Sequence, residues 1–197
     1  LGVAPKMIIV KNRSAGESWR VGHAYMNGGS SPWNYYMNLD GSSAQVSASS
    51  LWNNTTPTST VFSIANDSGV SGSGNSFVAY CWAEIAGFSK FSSYSGNGSS
   101  DGPFIYTGFV PKFIIVKSSS NAYNWQTYDI ARGPYNVNRP VLYPNLSNGE
   151  YSVSTNDIDF VSNGFKLRGS DAGINGSGAT YIYMAFAENP FKNALAR

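Results

Sequence analysis

Carboxylates are the residues of this chain best suited to chemistry, because two of them suffice to cleave a glycosidic bond. The 197 residues include eleven Asp and Glu, one His and one Cys. Glu84 and Glu188 close two similar runs, and each is followed by an aromatic residue, Phe88 and Phe191. An acid and a base need different surroundings to hold different pKa values. Matched glutamates in matched surroundings are therefore expected to be structural anchors. Asp157-Ile158-Asp159 puts two carboxylates on one strand face, as calcium or a glycosidase could use, but one Asp-x-Asp fits two solvated edge acids equally well. Asp67 and Asp171 each stand two residues before a Gly, where an Asp side chain stabilises a turn. His23 is the sole histidine, so no His-based metal cluster can form. No nucleophile-elbow sequence accompanies it, and a structural hydrogen bond within a strand is expected. Cys81 has no partner for an intrachain disulfide and lies in an apolar run, the setting of a buried, inert thiol. Gly-x-Gly at 72–74 and at 176–178 precedes strand-like runs, as turn glycines do, not helices as in phosphate cradles. No catalytic residue, no metal site and no cofactor is expected.

Aromatic rings are the other resource. Two Ser/Asn/Gly/Pro-rich excursions, 27–60 and 131–156, carry them. The first holds Trp33, Tyr35, Tyr36 and Trp52; the second holds Tyr135, Tyr143 and Tyr151 with Arg132 and Arg139. Ring faces stack on sugar C–H surfaces, while Asn, Asp and Arg read hydroxyls. Trp33, Tyr36, Trp52, Tyr135 and Arg139 are the candidates for a glycan- or partner-contact surface. The alternative is that the rings cap the fold or pack between subunits, since loop rings must be covered by something. Composition favours recognition: charged residues are 12% and aromatics 15%, the profile of Tyr- and Ser-rich binding faces. A net charge of +2 with no Lys/Arg cluster gives no case for nucleic acid. The apolar runs are too short for membrane insertion by a helix.

The elements that must position these residues are mostly strands, and they occur twice. Pro5-Lys-Met-Ile-Ile-Val-Lys11 returns as Pro111-Lys-Phe-Ile-Ile-Val-Lys117, and Trp19 returns as Trp125. Gly72 to Glu84 returns as Gly176 to Glu188, with Asp67, Gly69 and Val70 matched by Asp171, Gly173 and Ile174. Strands are predicted over Met7–Lys11, Trp19–Tyr25, Val61–Ile64 and Phe77–Glu84, with a Gly-rich hairpin turn from Asp67 to Gly74. The second set is Phe113–Lys117, Trp125–Ile130, Ile158–Val161, Phe165–Arg168 and Thr180–Glu188. No segment sustains a helical period, apart from one turn expected in the tail 190–197. Consecutive apolar residues in Met7–Val10 and Phe113–Val116 require cover on both strand faces. The predicted fold is all-β: one internally duplicated, jelly-roll-like β-sandwich with pseudo-two-fold repeats. Repeat one is 1–91, a bridge is 92–106 and repeat two is 107–197. Two separable domains are the alternative, disfavoured by the lack of a Pro-rich or charged linker. The chain begins at Leu1 without Met or a signal-peptide pattern, and is expected to be a piece of something longer.

Many stretches carry a family resemblance: Pro5 to Lys11, Pro57 to Phe62, Phe77 to Glu84, Gly87-Phe-Ser-Lys90, Tyr94 to Gly98, Gly108-Phe-Val-Pro-Lys112, Val141-Leu-Tyr-Pro144, Ser162 to Lys166 and Tyr183 to Lys192. They resemble the domain of unknown function at the C-termini of bacteriophage structural proteins, common in marine and cyanobacterial phages and often labelled tail fibre or virion protein. The resemblance implies a virion location after synthesis in the host cytoplasm, and brings no established catalytic residues. The expected function is attachment of a tail fibre or appendage to host-surface glycan. The partners are then a host glycan or receptor, other virion proteins and copies of the chain itself, as a trimer if it is a fibre. The alternative is a purely structural capsid or tail decoration protein. A polysaccharide depolymerase comes third.

Overall fold

The computed structural model describes residues 2–189, so the tail turn expected at 190–197 and Phe191 lie outside the described residues. The chain divides into two compact units, residues 1–83 and 84–197. Both are built from antiparallel strands, and each helical turn is at most four residues long. The all-β class read from the alternating runs holds.

In the first unit, β1 (Met7–Asn12) lies between β2 (Arg20–His23) and β5 (Phe77–Trp82). β3 (Tyr35–Asn38) and β4 (Val46–Ser47) extend the sheet to the order β4-β3-β2-β1-β5. Ile8 and Val10 of β1 pack with Trp33, Leu51, Trp52 and Val70. Leu51 and Trp52 belong to α1 (Ser49–Trp52), and Val70 to α2 (Ser68–Ser71). Among the described residues, helical turns cover this face where a second sheet could have done so. Gly22 makes that cover possible: a Cβ there would sit 2.6 Å from the Trp33 ring and 2.9 Å from that of Trp52. The strand predicted over Val61–Ile64 does not form, so Asp67 to Gly74 is no hairpin. Val61 is instead folded into a turn by Thr58, whose Oγ1 accepts from the Val61 N–H at 3.1 Å. Asp67 caps α2 by accepting from the Gly69 N–H.

The second unit has two sheets. β6 (Ser89–Ser95), β14 (Thr180–Phe186), β8 (Phe113–Ser118) and β9 (Gln126–Asp129) form one, in that order. β12 (Ile158–Val161), β13 (Gly164–Leu167) and β7 (Phe104–Tyr106) form the other. One apolar cluster draws on both, including Ile114, Val116, Tyr181 and Tyr183 from the first and Ile105, Phe165 and Leu167 from the second. A two-stranded ribbon, β10 (Pro140–Val141) and β11 (Tyr151–Ser152), joins β9 through Thr127 and Leu142, whose N–H and C=O groups bond reciprocally at 2.9 and 3.1 Å. The expected bridge 92–106 supplies the end of β6 and all of β7, and the division between units falls at Ala83.

The two units share one pairing register. Met7 faces His23 and Trp82; its sequence counterpart Phe113 faces Asp129 and Phe186. Tyr35 faces Ser47, as Pro140 faces Ser152. Val21 pairs with Met37, as Thr127 does with Leu142. Asp171 accepts from Gly173 N–H ahead of α3 (Ala172–Asn175), as Asp67 does from Gly69. The two excursions each return two short strands in the same places.

Candidate functional site

The five candidate contact residues have four different fates. Trp33 and Trp52 are 3% and 1% exposed and meet edge to face at 6.0 Å, so they are core residues and present no contact surface. The reason is Gly22, which leaves a ring-sized space over β2 that only the excursion can fill. Tyr36 is half-buried beneath the Arg20 guanidinium, 5.3 Å from its ring centre. In the second unit, Arg139 is a structural partner, holding Asp157 through two bonds of 2.7 and 2.8 Å. Tyr135 alone projects, at 83% exposure. The chain just after it is stapled by Asn136, which exchanges bonds with the Phe160 backbone, and by Asn138, which does so with Ile158.

The second excursion does build a concave site, around rings named in the sequence but not chosen. Tyr143 and Tyr151 meet at 6.4 Å with their planes tilted by 38°. With Leu146, Asn124, Asn148 and Glu150 they line a groove of about 380 Å³. Tyr143-Pro144-Asn145-Leu146 is a tight turn closed by Leu146 N–H onto Tyr143 C=O at 3.0 Å, with Pro at its second position. Tyr151 stands opposite Val141 in the β10–β11 ribbon and keeps half its surface exposed. The walls are braced. Asn145 accepts from Trp125 N–H at 3.1 Å and donates to the Asn124 side-chain oxygen at 2.8 Å. Arg132, held by Asp129, reaches Glu150 at 3.3 Å. Asn156 donates to the Tyr143 hydroxyl oxygen at 3.4 Å. Burial, with the Asp171 carboxylate adding to it, raises the Tyr143 phenol above its usual value, so it remains a donor at neutral pH. A pair of adjacent Tyr against Asn side chains was the available signal. It was obscured because Tyr143 and Tyr151 are eight residues apart, and only the ribbon pairing brings them together.

The carboxylates are engaged in ion pairs. Asp157 bonds Arg139, and Asp159 bonds Arg168 at 2.5 Å, so the Asp-x-Asp pair is neither solvated nor vacant. Glu84 lines a second cleft of about 390 Å³, but Lys90 holds it at 2.8 Å and the Phe91 N–H approaches it at 3.5 Å. Glu188 meets Lys112 at 3.4 Å. His23 is buried and accepts from the Tyr25 N–H at 3.2 Å, a structural role of the kind expected. Burial raises the Cys81 thiol. Among the described residues, no group of three His, Cys, Asp or Glu side chains could hold a metal. None of the described helices is long and apolar enough to cross a membrane.

The chain matches the model of a domain of unknown function, DUF7483, over residues 1–190, and it belongs to that family. No curated protein and no solved structure matches it.

Proposed function

We propose that the chain is a non-catalytic recognition module on a duplicated β scaffold, and that its groove at Tyr143 and Tyr151 binds a carbohydrate. The observation that carries this reading is the groove itself: two tilted rings, with the amides of Asn124 and Asn148 and the Glu150 carboxylate beside them. Rings supply flat apolar area at low entropic cost, and the amides and carboxylate can read hydroxyls of both polarities. The shared registers of the two units support the duplication. The resemblance to phage fibre termini supports a virion setting, in which the sugar belongs to the host surface and the chain assembles with copies of itself. A purely structural capsid or tail decoration role is the second reading, favoured by a sheet edge at β5 that is open among the described residues.

Calorimetry with host-surface polysaccharide tests the groove. Tyr151→Ala removes a half-exposed ring and should weaken binding by about 2 kcal/mol, roughly thirtyfold, with the melting temperature almost unchanged. Folded wild-type protein that binds no host polysaccharide would overturn the proposal. Release of oligosaccharide, abolished by Asp157→Asn, Asp159→Asn or Glu84→Gln, would overturn its non-catalytic part.

A further inference from the structure

The two units treat one strand differently. β14 lies between β8 and β6. Among the described residues, its counterpart β5 lies beside β1 and ends its sheet. The consequence shows in exposure: Met184 of β14 is 8% exposed and its counterpart Tyr80 is 44% exposed. The open backbone groups can be assigned. Arg13 N–H bonds the Ser76 C=O at 2.8 Å in continuation of the β1–β5 register. Alternation then turns Val78 and Tyr80 toward β1 and leaves the N–H and C=O of Phe77, Ala79 and Cys81 on the outer edge. The counterparts Tyr181, Tyr183 and Ala185 are opposite Tyr94, Ser92 and Lys90 of β6.

Natural edges are defended by charge, proline, a bulge or shortness. β4 is two residues long. β6 carries Lys90, and the Glu84 carboxylate lies at its Phe91 N–H. β5, Phe77-Val-Ala-Tyr-Cys-Trp82, is six residues with neither charge nor proline. Apolar surface continues beside it: Val3 and Val61, both more than half exposed, share a cleft with Cys81.

We infer that β5 is an assembly edge whose occupant is β5 of a second copy, paired antiparallel about a two-fold axis at Ala79. In that register Ala79 faces Ala79 of the other copy and Phe77 faces Cys81, so small or apolar residues meet and no like charges oppose. Tyr80 then lies against Val78 of the other copy, on the face where Trp19 and Trp82 already stack on it at 6.4 and 6.1 Å. The antiparallel sense is the one β14 adopts with β6. This inference rests on the proposal that the chain assembles with copies of itself.

Sedimentation equilibrium of the whole chain, with a crosslinking arm, tests it. The wild type should be a concentration-dependent dimer. Ala79→Pro removes an N–H that β1 does not use, so the dimer should be lost while the melting temperature is kept. In a Cys81→Ser background, Ala79→Cys should form a disulfide-linked dimer on mild oxidation, because hydrogen-bonded antiparallel partners sit about 5.5 Å apart at Cα, within disulfide reach. If Ala79→Pro fails to fold, the crosslink decides. A wild-type monomer would overturn both the edge and self-association. A trimer, or a dimer that survives Ala79→Pro and does not crosslink at position 79, would overturn the edge and leave self-association standing.

Discussion

Where β2 carries Gly22, opposite Ile8, β9 carries Tyr128, opposite Ile114. The first unit leaves a space on its strand and fills it with Trp33 and Trp52 from the excursion. The second fills the same space from the strand itself, with a Tyr128 ring that is fully buried and donates its hydroxyl to Gln126 at 2.7 Å. One register thus supports two ways of building a core, and the difference decides where rings are available for binding. The first excursion spends its tryptophans on packing. The second packs its core with Val141 and only part of Tyr143, and its Tyr143 and Tyr151 can line a groove.

The largest expected effect tests that division directly. Trp52→Ala should destabilise the protein by about 3–5 kcal/mol, as deletion of a buried aromatic ring does, with urea denaturation as the measure. Tyr128→Ala should cost a comparable amount. A Trp52→Ala protein of unchanged stability would mean that the tryptophan is not core, and would return it to the list of contact residues.

Most of the strand runs and the turn-stabilising Asp67 and Asp171 were legible because each rests on local chemistry: β-branched residues in short apolar runs, and an Asp side chain reaching its own backbone. β6 was not, because Ser89-Lys-Phe-Ser-Ser-Tyr-Ser95 looks like loop composition; its serines are tolerated because Phe91 and Tyr94 carry the packing. Val61–Ile64 has strand composition but no partner, and a strand exists only where its backbone finds one. The site was half legible. The proposed groove lies in one of the two excursions that carry the loop rings, but burial of Trp33 and Trp52 depends on Gly22, a residue with no side chain to draw attention. Arg139 is engaged by Asp157 through a pairing that no local pattern announces.

A second contrast concerns Lys11 and Lys117, which occupy matching positions in β1 and β8. Lys11 is half-buried and donates to the Glu17 carbonyl. Lys117 is fully buried with the Ser118 carbonyl at 2.7 Å, and burial lowers it from 10.5 to about 8. Below pH 8 the folded protein must keep an ammonium out of water, at a cost of about 3 kcal/mol. Between pH 8 and 10.5 the unfolded chain still binds the proton and the folded one releases it, so this contribution to stability rises with pH. Lys117→Met should therefore be the more stable protein at pH 7, by about 3 kcal/mol, and the gap should close as pH approaches 10. A gap that does not change with pH would show that the lysine is not titrating in the fold.

The smallest effect bears on whether the two units are one scaffold used twice. Asp67 accepts from Gly69 N–H at 2.8 Å and Asp171 from Gly173 N–H at 2.7 Å, each at the start of a one-turn helix. Each also meets the residue that faces it from the second strand of its sheet: Arg20 at 3.5 Å for Asp67, and Gln126 at 3.4 Å for Asp171. Loss of a cap costs about 1 kcal/mol, and the added partner is a charged guanidinium, shared with Glu17, in one unit and a neutral amide in the other. Asp67→Ala and Asp171→Ala should then destabilise by similar amounts at high salt, where the Arg20 attraction is screened. At low salt Asp67→Ala should cost a few tenths of a kcal/mol more, within the usual range for partly exposed ion pairs. Denaturant titrations of both variants at two ionic strengths read this out. Unequal losses that persist at high salt would mean that the matched turns do different work, and that the shared register does not extend to shared energetics.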